Sequence, residues 1–440
     1  MLLPVSGRGA LIEKSKKGAA AVKVLLVNKF HYRKGGSETY YFALAELLRS
    51  AGHTVLFFAM QDERNEPCDQ GRYFVSNVEY NGQQGAAQKL KSAAKLLYSA
   101  EARDKFAALL QAERPDVVHL NLVHRQITLS ILEPCQKLGI PVVFTQHDLI
   151  CVCPNYTCLS PNGVCEACLG GNFTPCVRQK CVKGSAAKSL LAAAEARLYR
   201  LRGSYQKIDR YLCPSAFYQD ILRRCGFTRS PILHLPNFLP RGTVYEWVLP
   251  RPGQDGLLYL GRLTPEKGIA TLLRAAALCT KAPGFRLRIA GDGPQRAELE
   301  ALAAELGLGE RVEFLGFLTG EPLKDALRGC RAVVLPSEWY ENGPYSVMEA
   351  LSCGKPVIGS AAGGIPEMVR EGETGFLFPP GDEAALAAAM QKLLALPENE
   401  YAALCRNAVR LAEEKFSAQT HLERLTGIYE EVIAEKKNAR

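Results

Sequence analysis

Two glutamates eight positions apart bound the run Glu341-Asn342-Gly343-Pro344-Tyr345-Ser346-Val347-Met348-Glu349. Pro344 suits the first turn of a helix, which puts Glu341 in the loop before it and Glu349 in its second turn. Two carboxylates so placed can hold hydroxyls at two points of one ligand, while free amides near Gly343, Tyr345 and Ser346 face an anion. A second run, Gly261-Arg262-Leu263-Thr264-Pro265-Glu266-Lys267-Gly268, sets two cations around a turn that leads into a helix. Arg262, Lys267 and a helix N-terminus together suit a diphosphate, each charge-assisted bond contributing roughly 1.5–3 kcal/mol. A third, Gly35-Gly36-Ser37-Glu38, lets backbone approach a ligand closely at another helix start. It lacks the Gly-x-Gly-x-x-Gly spacing, so no dinucleotide is implied, and a tight structural turn explains it equally well.

Seven of the fifteen cysteines fall between Cys151 and Cys181. Cys165-x2-Cys168 can place two thiolates on one ion, and Cys153 and Cys181 flank it 12 residues before and 13 after. Cys153, Cys165, Cys168 and Cys181 are therefore the predicted ligands of a closed structural zinc site, with Cys158 and Cys176 as substitutes. Such a site would tie down a stretch too poor in aliphatics to fold alone. The usual iron–sulfur run is missing. Disulfides and unliganded thiols are the other readings.

These groups need a scaffold. Val22–Asn28, Thr54–Phe58, Asp116–Leu120 and Pro141–Thr145 read as buried strands separated by helical patterns, including 86–111 and 127–137. This alternation predicts an α/β fold with a parallel, doubly wound sheet. The proline-rich stretch 241–255 reads as a linker, after which βα pairs restart. The expected organisation is a leader over 1–21, a first Rossmann-like domain over 22–240 with a cysteine-rich insertion at 151–184, a second over 256–415, and a terminal helix over 416–440. A cleft between two such domains gathers the carboxyl ends of both sets of strands.

Apolar residues make up 47% of the 440 and charged residues 22%, a soluble globular profile with ample chain for two cores. The longest apolar runs are strand-length, and no signal peptide is legible near the start. A cytoplasmic protein is expected. The charge of +9 is concentrated: residues 171–251 hold 14 Lys/Arg against 4 Asp/Glu. That block suits a phosphate-bearing acceptor or the inner face of an anionic membrane, met peripherally, as well as a solvated helix face. It lacks the interleaved aromatics of a nucleic-acid surface, so no nucleic-acid partner is expected.

The order of these motifs resembles retaining GT-B glycosyltransferases of family 4. Gly261-Arg262…Glu266-Lys267-Gly268, Ala290-Gly291-Asp292-Gly293-Pro294, Leu335-Pro336-Ser337, the Glu-x7-Glu pair and Gly363-Gly364-Ile365-Pro366-Glu367 carry the resemblance, which spans nearly the whole chain from Val22. The cysteine segment is similar to an insertion in a bacterial branch of that family. The resemblance implies two Rossmann-like domains and a nucleoside-diphosphate sugar as donor. Arg262 and Lys267 would bind its diphosphate, Glu349 its ribose and Glu341 its sugar, with Gly36 reaching the phosphates from the opposite domain. It also implies a last helix that crosses back onto the first domain. Many members carry His-x-His where this chain reads His119-Leu120-Asn121. Asn121 can hydrogen-bond a hydroxyl but cannot act as a base, so His119, His124 and His147 remain candidates beside it.

The expected function is retaining, hexosyltransferase-type transfer to a glycan or lipid-linked acceptor in surface polysaccharide synthesis. No Asp-x-Asp occurs, in keeping with cations instead of a divalent metal neutralising the diphosphate. The alternatives are a non-catalytic nucleotide-sugar binder, with Asn121 marking lost activity, and a nucleotide-sugar epimerase of the same fold.

Overall fold

A computed structural model describes residues 21–77, 93–240, 256–280 and 285–439. The predicted linker 241–255 and all but the last residue of the predicted leader lie outside the described residues. Strands β1 (Lys23–Val27), β2 (Thr54–Phe58), β3 (Val117–Leu120), β4 (Val142–Thr145), β7 (Arg210–Cys213) and β8 (Ile232–His234) form a parallel sheet ordered β2-β1-β3-β4-β7-β8. β5 (Leu159–Ser160) and β6 (Gly163–Val164) pair separately as an antiparallel hairpin. A second parallel sheet, β11-β10-β9-β12-β13-β14, joins β9 (Leu257–Leu260), β10 (Leu287–Ala290), β11 (Val312–Gly316), β12 (Ala332–Leu335), β13 (Val357–Ser360) and β14 (Gly375–Phe378). Both are doubly wound, as the alternation of strands and helices predicts.

The strands read as continuous apolar runs because both faces are covered. Leu25 and Val27 join Leu56, Phe58, Val118 and Leu120 on one face of the first sheet, while Val24 and Leu26 join Val55, Phe57 and Val117 on the other. In the second sheet Leu257 and Tyr259 go one way, Leu258 and Leu260 the other. The helix Gly36–Ser50 covers one face of the first sheet with Tyr40, Tyr41, Leu44, Leu47 and Leu48. The last helix, Ala418–Asn438, buries Leu422, Leu425, Tyr429 and Val432 in that same cluster. Ion pairs of Glu435 with Arg210 and Lys436 with Asp209 tie its far end to the first sheet.

Strand order reverses between β1 and β3 in the first sheet, and between β9 and β12 in the second. A crevice opens at such points beyond the carboxyl ends of the strands. The residues just past those four ends are Asn28, Asn121, Gly261 and Pro336. The predicted site motifs therefore sit where the topology leaves room for a ligand.

Two local expectations need correction. The pattern read as one helix over 86–111 is interrupted: residues 93–97 are helical, and Ser99 then caps a new helix, Ala100–Glu113, its side chain accepting from the Ala102 amide. The pattern over 127–137 begins as a short 3-10 turn, Leu129–Ile131, before the helix Leu132–Leu138.

The zinc expectation is also corrected. Among the described residues no group of three or more His, Cys, Asp or Glu side chains is arranged to hold a metal ion, so Cys153, Cys165, Cys168 and Cys181 do not form the predicted site. The Cys153 and Cys158 thiols lie close enough to shift each other's proton affinity, as do those of Cys176 and Cys181. All seven are free. The insertion is poor in aliphatics, as read, but it borrows a core. Val152, Cys153, Cys158 and Leu169 enter the main cluster of the first sheet, and Cys168, Phe173, Cys176 and Val182 pack with Ala192, Ala193 and Ala196 of the helix Ala186–Leu201. The cysteines serve there as small apolar side chains.

Candidate active site

On the second-sheet side, Lys267 is delivered by a 3-10 turn, Pro265–Lys267, that ends at Gly268 with φ 68°. A β-carbon at Gly268 would collide with the Pro336 carbonyl oxygen, so glycine lets this turn lie flat against the loop after β12. Lys267 Nζ then donates to Glu341 Oε1 at 2.6 Å. The same oxygen accepts from Ser337 Oγ at 2.6 Å and Trp339 Nε1 at 2.9 Å. Glu341 Oε2 has no hydrogen bond among the described residues. The carboxyl is buried. Burial pushes it up, but the charge of Lys267 and the bonds from Lys267, Ser337 and Trp339 outweigh that and hold it below its ordinary value.

Gly363-Gly364 supports this loop from beneath. Gly363 has φ 62°, a β-carbon on it would strike the Glu341 backbone, and the Gly364 amide donates to the Glu341 carbonyl at 2.6 Å. Pro344 stands just outside the following helix, Tyr345–Ser352, which places Glu349 in its second turn. The Glu349 carboxylate has no hydrogen bond or ion pair among the described residues, and burial raises it to about 7. Ser346 is half-buried in the first turn, and the Gly343 carbonyl accepts from Asn237 Nδ2 at 3.1 Å. Arg262 stands apart: its side chain is 63% exposed, and its guanidinium lies 3.7 Å from Glu266.

On the first-sheet side, Asn28 binds the loops together. Its Nδ2 donates to the Phe30 carbonyl and to Glu38, and its Oδ1 accepts from the Leu122 amide. Asn121 Oδ1 lies 2.9 Å from His147 Nε2, and Asn121 Nδ2 donates to the Val27 carbonyl at 3.4 Å. The Tyr40 ring sits edge-on to His147 with centroids 5.2 Å apart. The other two candidate histidines are held by neighbours within the fold. His119 is fully buried between Tyr429 Oη at 2.5 Å and Thr145 Oγ1 at 2.7 Å, so both of its ring nitrogens are engaged within the fold. His124 is buried against Phe144 and Tyr205.

The two sides meet. A β-carbon on Gly36 would lie 3.6 Å from the Tyr345 ring. Asn342 Nδ2 donates to the Gln146 carbonyl at 2.7 Å, and Ser215 Oγ donates to Asn342 Oδ1 at 3.0 Å. Gln146 precedes His147 and Asn342 follows Glu341, so this bond joins the loop that carries one candidate residue to the loop that carries the other. Glu367 accepts from the Ala216 and Phe217 amides, capping the helix Ala216–Arg224 of the opposite half. Tyr340 Oη donates to Glu166 of the insertion at 2.9 Å, so the insertion touches the loop that carries Glu341. The sequence contains no local signal for Asn342, Gln146, Ser215 or Tyr340 as cross-cleft partners.

The match to known proteins runs along both halves. Residues 34–240 match the family model described as Glycosyltransferase Family 4, and residues 247–411 the one described as Glycosyl transferases group 1. The chain is 33% identical over 177 residues to the alpha-D-kanosaminyltransferase of Streptomyces kanamyceticus, covering 40% of this chain and 45% of that protein. It is 34% identical over 193 residues to the D-inositol 3-phosphate glycosyltransferase of Acidothermus cellulolyticus, covering 42% of each. The matched span is under half the length of these curated relatives. Among solved structures, sucrose-phosphate synthase from Thermosynechococcus elongatus superposes with a TM-score of 0.68 at 23% identity, covering 94% of this chain and 99% of that one. Anabaena HepE in complex with UDP-glucose does so with 0.62 at 20%, covering 95% and 100%. With both halves matched in order and the doubly wound sheets on the page, the chain belongs to the family 4 glycosyltransferases of GT-B fold.

Proposed function

We propose that the protein transfers a hexosyl group from a nucleoside-diphosphate sugar to a hydroxyl of a glycan or lipid-linked acceptor, with retention of configuration, in surface polysaccharide synthesis. The observation that carries this is the buried Lys267–Glu341 pair beside one point where strand order reverses and the Asn121–His147 pair beside the other, their loops joined by the bond from Asn342 to Gln146. The unpartnered Glu349 carboxylate supports a ribose contact, and Lys267, with Arg262 swinging in from the surface, the diphosphate. Gly36 gives the phosphates an open backbone approach from the other side.

In this reading the bond from the anomeric carbon to the donor phosphate oxygen breaks as the acceptor oxygen bonds the same face. The acceptor proton passes to the departing phosphate oxygen, so no strong protein base is needed. Arg262 and Lys267 stabilise the leaving charge, and Glu341 and His147 orient the sugar. Cations carry that task without a divalent metal. The enzyme would work at the cytoplasmic face of a membrane; no helix among the described residues is long and apolar enough to cross one.

The test is isothermal titration of wild type and Glu349→Ala with UDP-, GDP- and ADP-sugars, followed by NMR of the product anomer. Binding of one nucleotide class that is lost in the variant, with hydrolysis of the donor in the absence of acceptor, supports the reading. Binding without any hydrolysis would leave a non-catalytic binder, and an epimerised nucleotide sugar would leave an epimerase.

A further inference from the structure

The helix Ala186–Leu201 has two unlike faces. Ser189, Ala192, Ala193, Glu195, Ala196 and Tyr199 are buried inward. Glu195 lies 3.7 Å from Arg125, five residues past the end of β3, which holds this helix beside the carboxyl edge of the first sheet. The outward positions, Ala187, Leu190, Ala194, Arg197 and Leu201, recur at three- and four-residue spacing and are all exposed. Leu190 is 60% and Leu201 76% exposed. They stand eleven residues apart on one stripe, about 16 Å along the axis.

The charge around this stripe is one-sided. From Arg178 to Lys207 there are eight Lys/Arg and a single acid, Glu195, which points inward. Arg178, Lys180, Lys183, Lys188 and Arg197 are exposed, and none has an ion pair among the described residues. Elsewhere exposed cations often find carboxylates on their own helices, as Arg224 does with Asp220 and Arg296 with Glu300. Here exposed leucines stand between cations that have no ion pair among the described residues. The exposed stripe carries no aromatic ring on which bases could stack.

We infer that this face docks on an anionic lipid surface, the two leucines entering the boundary of the acyl chains and the lysines and arginines meeting lipid phosphates. The surface stands on its own observations and does not depend on the sugar-transfer reading. Docked this way, the protein would hold the first-sheet side of its cleft close to the bilayer.

The test is flotation of the full-length protein with vesicles of phosphatidylcholine alone, and of phosphatidylcholine mixed with phosphatidylglycerol. Wild type should float with the mixed vesicles only, and added salt should release it. Lys183→Ala with Lys188→Ala should weaken partitioning about fivefold per cation, the equivalent of about 1 kcal/mol each. Leu190→Ser with Leu201→Ser should weaken it at least tenfold at unchanged charge. All four positions are on the surface, and unchanged thermal melting would show that the variants fold. Equal flotation with both vesicle types, no flotation with either, or indifference to the leucine pair would overturn the inference. Salt-sensitive binding to duplex DNA that ignores the leucines would identify the face as a plain polyanion surface instead.

Discussion

Asn121 Oδ1 and His147 Nε2 stand 2.9 Å apart, and the Asn121 amide nitrogen is engaged by the Val27 carbonyl. The amide must therefore accept and the imidazole donate, so Nε2 carries the proton and Nδ1 the lone pair. Burial pushes His147 down to about 3, which keeps the ring neutral across the working range. Family members with a second histidine at the position of Asn121 place an imidazole there directly. Here an asparagine at the end of β3 fixes one at the end of β4.

From this, His147→Ala should lower turnover about tenfold, the loss of one hydrogen bond to the donor sugar. Asn121→Leu, which frees the ring, should lower it by a smaller factor. Neither should shift the pH–rate profile between about pH 6 and 8, because the histidine does not titrate there. Steady-state kinetics across that range would check both; a profile that moves on His147→Ala would show that the ring acts as a titrating base.

Lys267 and Glu341 are 14% and 7% exposed at the side chain. Removing one partner of a buried pair strands the other charge, a cost of about 3–5 kcal/mol. Lys267→Met should show a loss of this order in urea denaturation. Adding Glu341→Leu should restore part of the stability while turnover stays abolished. A double variant no more stable than the single one would mean that the pair is not what holds the loop.

Glu349 has a folded-state value raised to about 7 against an ordinary 4.5. The protonated form is the favoured one in the free protein, so its contribution to stability is largest below its unfolded value and is lost as pH rises through about 7. In the proposed ribose contact, the hydroxyls would donate to the ionised form. Nucleotide-sugar affinity should therefore rise with pH from about 6 to 8, by up to about tenfold per unit below 7, and Glu349→Gln should flatten that dependence. Calorimetry at several pH values would show it.

His119 and Tyr429 are 310 positions apart and share a buried hydrogen bond. Tyr429→Phe leaves His119 Nδ1 unsatisfied and should cost about 1–3 kcal/mol, with turnover of the folded enzyme unchanged. Chemical denaturation alongside an activity assay separates the two; a specific loss of turnover would return His119 to the site.

Tyr340 and Glu166 join the insertion to the Glu341 loop. Glu166→Ala should raise the acceptor KM several-fold while leaving donor affinity unaltered, as measured with a saturating donor. Unchanged acceptor KM would show that the insertion does not shape that side of the cleft.

The doubly wound sheets were legible in the sequence because burial on both faces writes an apolar run into each strand, and that signal is local. The turns that carry Lys267, Glu341 and Glu349 were legible for a similar reason: each lies in a short motif whose glycines and prolines shape it. The cysteines misled because spacing along the chain does not say what lies across from a thiol. Apolar partners on the first sheet and on the helix Ala186–Leu201 pack the insertion's thiols as small apolar side chains. Likewise, nothing near His119 in the sequence announces that Tyr429 would hydrogen-bond it. Tertiary structure alone decided that Asn342 would reach Gln146, 196 positions away, and that Tyr345 would meet Gly36. Helical and strand periodicities reflect interactions over a few residues, whereas a cross-cleft hydrogen bond depends on how two separately folded sheets are oriented, and no local pattern encodes that.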